Sequence, residues 1–324
     1  MAFARNWKQN WAADGPHRAT EKDITLLNRV FSEAFTERYR KDGMLGVRVP
    51  HLNPTIWKFA IADAGDGAMI WRDEGGAIAA FNIVHRSGIE GWMGPLVVHP
   101  DHQGRGIGKT IVNAGVEWLK SRGAKVIGLE TMPRTMDNVG FYSALGMLPW
   151  HLTVTVTIEG ALSASAPESV ARIPQEQRES AIEECRVLTE SLLPGHDFTR
   201  EIALTDKMQI GDTVLLHRGG ELTGFALCHT VPLVDGRVRE ELRVLKLVAR
   251  SEDDFDLLVV QLASFCRRCG TRRLAIRAQG SYPEIYRRLI MRGGRVRWTD
   301  LRMTVHGFSE TVALRGVVLS NWEI

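Results

Sequence analysis

The chain has 324 residues, of which 44% are hydrophobic, 24% charged and 7% aromatic, as in ordinary globular proteins. Its 41 Lys and Arg nearly balance 38 Asp and Glu, for a net charge of +3, which argues against a nucleic acid or an anionic membrane as partner. The first residues contain no apolar signal segment, and no run approaches the roughly 18 apolar residues of a transmembrane span. We therefore expect a cytoplasmic protein.

The first half of the chain predicts alternating helices and strands. An apolar stripe that begins with Ile24, Leu27 and Val30 has helical spacing. Two apolar runs on either side of Gly75 and Gly76 have the pattern of a β-hairpin. In chain order we predict helix 23–39, strands 68–71, 77–84 and 92–98, helix 108–122, strand 126–130, helix 139–145 and strand 153–158.

The second half repeats landmarks of the first. A shift of 144 positions places Gly75 on Gly219, and the same shift places Tyr142 on Tyr286. Because both landmark groups share one offset, two copies of one α+β unit explain the chain better than one large domain. A small, polar, proline-containing stretch between the copies has the composition of a linker. We predict an N-terminal arm at 1–20, a domain at 1–162 that includes it, and a second domain at 163–324.

Two of the four cysteines have a spacing found in redox and zinc sites. Cys266 and Cys269 are separated by two residues, but no second cysteine or histidine pair lies nearby to complete a metal site. They fall in an apolar, periodic run that begins at Leu257. We therefore predict two cysteines on a buried or half-buried helix, and no metal.

A glycine-rich turn between a strand and a helix is the most informative segment. Gly104, Gly106 and Gly108 follow an apolar strand and directly precede an apolar-periodic helix. Glycines allow close approach to the backbone, and the positive end of a helix dipole attracts anions. Arg105 and Lys109 can add positive charge or stay solvated. The segment therefore predicts a site for a pyrophosphate.

Two common nucleotide-binding motifs do not fit this spacing. A Walker loop requires Gly-x4-Gly-Lys-Ser/Thr and a dinucleotide fingerprint requires Gly-x-Gly-x-x-Gly, and the segment supplies neither. It does supply Gln-x-x-Gly-x-Gly, through Gln103, Gly106 and Gly108. In this motif the chain resembles the GNAT (GCN5-related N-acetyltransferase) superfamily, whose acyl-CoA motif is Arg/Gln-x-x-Gly-x-Gly/Ala.

A second motif supports the resemblance. Asn138, Phe141, Tyr142 and Gly146 match the later Asn-x-x-x-Phe-Tyr-x-x-x-Gly-Phe pattern of the superfamily in most positions, although Asn138 and Phe141 lie one residue closer together. The resemblance implies an α+β fold of two tandem GNAT-like domains, each a mixed, mostly antiparallel sheet flanked by helices. It also implies acetyl-CoA as co-substrate.

The resemblance further implies which residues contact acyl-CoA. Backbone groups of a strand would pair with the pantetheine arm, and one N–H would polarise the thioester carbonyl. The glycine-rich loop would hold the pyrophosphate, and an asparagine would contact the pantetheine. In the same order, the implied residues are Leu96, Val97 and Val98, then Gln103, Gly104, Arg105, Gly106, Ile107, Gly108 and Lys109, and finally Asn138.

Two residues carry the implied chemistry. Tyr142 would protonate the departing CoA thiolate, and the alternative is an aromatic side chain packed beside Phe141. Glu90, just before a strand, would accept the proton of the amine, directly or through water, and the alternative is an exposed carboxylate at a strand end. His99 and His102 flank the loop, where a structural or solvated role is the expectation.

The second copy lacks the loop. At the same offset the motif positions fall on residues without glycine, and no glycine occurs from Arg237 to Cys269. Three carboxylates, Glu252 to Asp254, would stabilise a helix start and repel a pyrophosphate there. We predict a degenerate copy in which Tyr286 packs. The strand-like run 315–322 could complete either sheet.

The leading interpretation is an N-acyltransferase that moves an acetyl group from acetyl-CoA to an amine by direct attack in a ternary complex. The alternatives are a non-catalytic acyl-CoA sensor and an interaction module. The acceptor can be a small molecule or a peptide, because fold does not fix substrate. A homodimer is left open.

Overall fold

The computed structural model describes residues 14–322. Residues 1–13 of the predicted arm lie outside the described residues, and the following segment forms β1. The helices are α1 (Ile24–Lys41), α2 (Pro54–Ala64), α3 (Ile107–Ser121), α4 (Met136–Ala144), α5 (Gln175–Leu192), α6 (Thr199–Met208), α7 (Glu252–Arg268) and α8 (Pro283–Met291). The strands are β1 (Asp14–Arg18), β2 (Ala68–Arg72), β3 (Ile78–Ser87), β4 (Glu90–Val98), β5 (Val126–Thr131), β6 (Met147–Glu159), β7 (Glu168–Ser169), β8 (Gly211–Arg218), β9 (Glu221–His229), β10 (Glu241–Ala249), β11 (Arg273–Gln279), β12 (Arg295–Val305) and β13 (Val317–Ser320).

Every helix and strand predicted in the first half is present, with ends that move by a few residues. The sequence patterns above do not predict α2. This helix begins at Pro54, and the Asn53 side chain accepts a hydrogen bond from the Thr55 N–H. Its Ile56 and Trp57 are fully buried, and burial on most of its surface removes the one-sided stripe that marks an exposed helix.

The strands of the described chain join into one continuous sheet. Its order is β1-β2-β3-β4-β5-β12-β6-β11-β10-β9-β8-β7, with β13 paired to β10. The two halves exchange strands in the middle of this sheet. Strand β12, from the second half, lies between β5 and β6, and β6, from the first half, lies between β12 and β11. The tandem α+β architecture is confirmed, and the boundary near residue 162 stays a prediction.

The exchange extends into the core of the first half. Ile111 of α3 packs with Met93 of β4 and Leu129 of β5, and this cluster also contains Met303 of β12. Burial of one such side chain contributes roughly 1.5–3 kcal/mol. The first half therefore depends on a strand of the second for part of its core.

The cysteine pair is placed as expected. Cys266 is buried on α7 and Cys269, directly after the helix, is partly exposed. Burial raises the pKa of the Cys269 thiol to about 11. Within residues 14–322, no group of three or more His, Cys, Asp or Glu could hold a metal ion.

Candidate active site

Strands β4 and β5 separate at the centre of the first half. They pair in parallel from Glu90–Val126 to Met93–Leu129, and no further pair joins them among the described residues. Beyond this point β4 continues to Val98, with its other edge paired to β3. The edge of β4 that faces β5 is therefore available to a ligand. Leu96, Val97 and Val98, predicted to bind pantetheine, lie on this segment.

The glycine-rich loop follows directly. Gly104 and Gly106 have φ angles of +77° and +85°, which favour glycine, and a Cβ added to either would meet no atom within 4 Å. Helix α3 starts after Gly106 without a side-chain cap and without an acidic residue in its first turn. The first N–H groups of a helix have no partner within it. Together these features make an open cradle for an anion.

Helix α1 forms the opposite wall. Arg38 of α1 forms ion pairs with Asp42 and Asp137, and Lys41 Nζ lies 3.2 Å from Gln103 Oε1. The cleft between these walls has a volume of about 450 Å³; we call it the cofactor cleft. Its lining residues are Ala34, Phe35, Arg38, Lys41, Leu96, Val97, Val98, Gln103, Gly104, Gly108, Met132, Asp137, Asn138, Phe141 and Tyr142.

Four predicted cofactor contacts do not line this cleft. Arg105, Gly106 and Lys109 belong to the cradle at its end, while the Ile107 side chain is buried in the core. Ile107 therefore has only its backbone to offer a ligand. Gly108 has a packing reason as well, since a Cβ there would lie 3.0 Å from Phe141 Cζ.

A second cleft adjoins the first. It has a volume of about 320 Å³, and we call it the acceptor cleft. Five residues line both clefts: Phe35, Leu96, Met132, Asn138 and Tyr142. The other residues of the acceptor cleft are Phe31, Leu52, Met93, Gly94, Pro95, Leu129, Glu130, Thr131, Leu233, Arg277, Asp300 and Trp322.

Tyr142 lies where the two clefts meet. The residue is 7% exposed, and burial raises its pKa to about 12. The phenol therefore keeps its proton at neutral pH and can act as a donor.

Charged residues of both halves meet in the acceptor cleft. Glu130 lies near the end of β5, Asp300 on β12 and Arg277 on β11. Arg277 Nη2 donates to both carboxylates, at 2.9 Å to Asp300. Burial opposes ionisation of Glu130, but Arg277 and Arg302 lower its pKa. Burial raises the pKa of Asp300, and the charge of Glu130 adds to the rise.

Glu90, the predicted base, lies elsewhere. It is 2% exposed, lines neither cleft, and accepts a hydrogen bond of 2.5 Å from Ser320. Burial opposes ionisation, but His196, Lys246 and Arg302 nearby lower its pKa. The structure therefore does not bring Glu90 together with Tyr142. The alternative expectation, an exposed carboxylate at a strand end, is also wrong, because Glu90 is buried.

The equivalent junction of the second half is closed. Only Arg250 and Ser251 separate β10 from α7, whereas 99–106 separate β4 from α3. Strand β10 leaves β11 after Val244, and β13 pairs with the edge of β10 beyond that point. The predicted strand 315–322 therefore occupies, in the second half, the gap that is open in the first.

The tyrosine equivalence needs a correction. Helices α4 and α8 have nine residues each, and Tyr142 is the seventh residue of α4. Leu289, not Tyr286, is the seventh residue of α8 and is likewise buried. The spacing between equivalent elements changes because eleven residues join β9 to β10, whereas two join β3 to β4, and this gain exceeds what the shorter loops before α7 and α8 remove. The equivalent positions therefore differ by 147 residues here, and the 144-residue offset fails. Tyr286 packs partly buried against the second core, as predicted.

Comparison with known proteins gives the family. The model of the acetyltransferase (GNAT) family matches residues 27–147, the segment that contains both motifs, the open gap and the cradle. Residues 27–147 therefore form a GNAT domain. Family membership of the first half indicates acyl transfer as its general chemistry. No curated protein matches the chain.

Solved structures share the tandem fold of this chain. A tandem GNAT protein from the clavulanic acid biosynthesis pathway is 12% identical, with a TM-score of 0.58 over 89% of this chain and 96% of the other. A GCN5-related N-acetyltransferase from Sphaerobacter thermophilus is 16% identical, with a TM-score of 0.56 over 95% and 98%. The N-myristoyltransferase of Saccharomyces cerevisiae, bound to myristoyl-CoA, is 10% identical, with a TM-score of 0.61 over 92% and 82%. At these identities the likeness shows the fold.

Some site residues have no signal in the sequence patterns. Arg38 lies on the predicted helix 23–39 and Lys41 just beyond its predicted end, and only the folded chain places this helix across from the loop. Arg277 and Asp300 reach the acceptor cleft through the strand exchange, which periodicity does not reveal. Within residues 14–322, no helix is long and apolar enough to cross a bilayer.

Proposed function

We propose that this tandem GNAT protein is an acyl-CoA-dependent N-acyltransferase that transfers an acetyl group from acetyl-CoA to an amine. One observation carries the proposal. The cofactor cleft and the acceptor cleft share a wall that contains Tyr142, a buried proton donor. A site for two substrates that react directly needs two such spaces in contact.

The residues present fit acyl-CoA. The edge of β4 from Leu96 to Val98 would hold the pantetheine through backbone groups, together with Asn138. The cradle from Gln103 to Lys109 would hold the pyrophosphate, with Lys41 across the cleft adding positive charge. The bound group supplies an activated thioester carbonyl.

Tyr142 supplies the proton that the leaving sulfur needs. Its pKa of about 12 keeps the phenol protonated before the reaction. The phenol donates this proton to the departing thiolate, which leaves as the thiol of CoA, and the phenolate left behind regains a proton from water. The nitrogen of the acceptor forms the new bond to the acyl carbon as the bond from that carbon to sulfur breaks. The nitrogen gives up one proton in the process.

Three carboxylates come into question as the base that takes this proton. Glu90 has no face on either cleft, so a base role for it would need a chain of water through the protein. The acceptor cleft offers Glu130 and Asp300. The choice of an acetyl group over longer acyl groups follows the motif resemblance.

Calorimetric titration with acetyl-CoA, followed by a thiol-release assay with a panel of amines, tests the proposal. We expect one binding site per chain and release of CoA that depends on the amine. Acyl-CoAs of two to fourteen carbons, used in the same assay, determine the preferred chain. Binding without transfer to any amine would instead favour the sensor, and absence of binding would overturn both.

A further inference from the structure

A row of polar side chains crosses the exchanged strands beneath the acceptor cleft. In the sheet, Glu130 of β5 pairs with Arg302 of β12, and Asp300 lies two residues before Arg302 on the same face. Asp300 pairs with Thr153 of β6. Thr155 lies two residues further along β6, on the same face as Thr153, and pairs with Arg277 of β11. The row therefore spans four neighbouring strands, two from each half. Of these, β5, β11 and β12 contribute side chains to the cleft, through Glu130, Arg277 and Asp300.

The two carboxylates of this row, Glu130 and Asp300, differ in the number of hydrogen bonds that they accept within the protein. Glu130 accepts hydrogen bonds from Thr153, Arg302 and Arg277. Asp300 accepts one from Arg277 at 2.9 Å and one from Trp298 Nε1 at 3.0 Å. An ionised carboxylate offers about four lone-pair sites. Asp300 therefore has acceptor capacity left for a ligand, and Glu130 is largely used in holding the row together.

Apart from Thr131 and Asn138, the rest of the acceptor cleft is apolar. Phe31, Leu52, Leu129, Leu233 and Trp322 lie around it. The ionisable side chains that line it are those of Glu130, Asp300, Arg277 and Tyr142, and with the phenol neutral their formal sum is −1. A ligand with a cationic head and an apolar body would satisfy both parts, because a buried charge needs a partner and an apolar wall does not supply one.

We propose that the acceptor is a primary amine attached to an apolar or aromatic body, and that Asp300 binds its ammonium group and takes one proton from it. The neutral amine that results attacks the acyl carbon, and the second proton, lost as the amide forms, passes to solvent, to which Asp300 also returns its own. The proposal rests on the proposed N-acyltransferase function and names its substrate class. Through the strand exchange, the second half gives the first half its acceptor-binding residue.

A second carboxylate on the acceptor would be disfavoured. Arg277 is the cation that lines this cleft among the described residues, and it is already shared between Glu130 and Asp300. A carboxylate on the ligand would have to compete with both. Phenethylamine and phenylalanine differ only in this group, so they form a matched pair of probes.

The test measures CoA release from acetyl-CoA with each probe. We expect kcat/KM for phenethylamine to exceed that for phenylalanine by at least about tenfold. We expect Asp300→Asn to lower kcat/KM for phenethylamine by at least about tenfold, through KM because the ammonium site is lost and through kcat because the proton acceptor is lost. Asp300→Glu, which keeps the charge, should recover part of the loss. Asp206→Asn, which removes a carboxylate paired with Arg178 far from the cleft, should change neither probe.

The pH profile distinguishes a role at the amine from a structural one. Arg277, Glu130 and Tyr39 face Asp300 from β11, β5 and α1, and Arg302 lies on its own strand. Arg277, Glu130 and Tyr39 are all still present in the Asp300→Asn variant. If kcat/KM of the wild-type enzyme falls at low pH and that of Asp300→Asn does not, the result supports Asp300 as the proton acceptor. Thermal unfolding of both variants shows whether they fold.

Each failure has a separate meaning. Equal or better use of phenylalanine, or an unchanged Asp300→Asn enzyme, would overturn the inference and leave the N-acyltransferase function in place. If no amine is acylated, calorimetric binding of phenethylamine decides. Binding that Asp300→Asn abolishes would support the amine site while the transferase function fails, and absence of binding would overturn both.

Discussion

The two halves of this protein build the same strand-to-helix junction and finish it differently. In the first half, β4 leaves β5 after Met93 and the gap stays open, and α3 begins at an uncapped Gly106. In the second half, β10 leaves β11 after Val244, and β13 fills the gap. There α7 begins at Ser251, whose side chain accepts a hydrogen bond from the Asp254 N–H.

The difference shows that a binding site can be lost when the protein itself supplies partners for the backbone groups that a ligand would otherwise bind. A strand edge and a helix start both present backbone groups that need partners. The second half supplies these partners itself, through β13, Ser251 and the acidic first turn of α7. In the first half, no strand of the described chain fills the gap beyond Met93 and no side chain caps α3. Comparison of the halves therefore supports the proposed ligand site.

Because the two halves share one sheet, we expect them to unfold together. Arg302 is fully buried and contacts Glu130, Glu310 and the Ser320 carbonyl. Its replacement by methionine leaves buried carboxylates without their partner, and we expect a loss of about 3–5 kcal/mol in the free energy of unfolding. Urea unfolding measures it, with one transition for the whole chain.

Arg250→Met is the matched control. Arg250 pairs with Glu221 at the surface, where both side chains are about half exposed or more, so the loss should stay below about 1 kcal/mol. Two separate transitions in the wild-type protein would contradict a shared sheet.

Binding of acetyl-CoA should depend on the first junction alone. Gly106→Glu places a carboxylate in the cradle and forces a side chain into a φ of +85°. We expect the Kd for acetyl-CoA to rise about 1000-fold, or about 4 kcal/mol. Calorimetry measures it. Gly220→Glu, at a φ of +84° in the hairpin of the second half, carries the same strain and should bind normally. A residual second site would mean that the second junction also binds.

Replacement of Tyr142 should have the next largest effect, on the rate of acyl transfer. Tyr142→Phe should lower kcat about 100-fold and leave the Kd for acetyl-CoA unchanged, because only the proton donor is lost. The thiol-release assay with the best amine measures it. Tyr286→Phe, the residue that the offset wrongly equates with Tyr142, should leave kcat unchanged. Full activity of Tyr142→Phe would remove the acid role.

These expectations also show how far the sequence reaches. Local patterns predict the hairpin, α3 and the cradle, because turn chemistry and apolar periodicity act over a few residues. They do not predict that β12 inserts between β5 and β6, which depends on the pairing of distant strands. Asp300 and Arg277 therefore could not be found, and Glu90, near β5 in the sheet, could not be recognised as buried.

The smallest effect concerns the helix start of the second half. Ser251→Ala removes the cap of α7, where Ser251 Oγ lies 3.1 Å from the Asp254 nitrogen, and should lower the free energy of unfolding by about 1 kcal/mol. Urea unfolding measures it against Ser121→Ala, whose hydroxyl donates to the Trp118 carbonyl at an exposed helix end and should cost less. Calorimetry should still find one acetyl-CoA site, because uncapping α7 leaves β13 in the gap and three carboxylates in the first turn. A second site in Ser251→Ala would mean that the cap alone closes the second half, and that β13 does not.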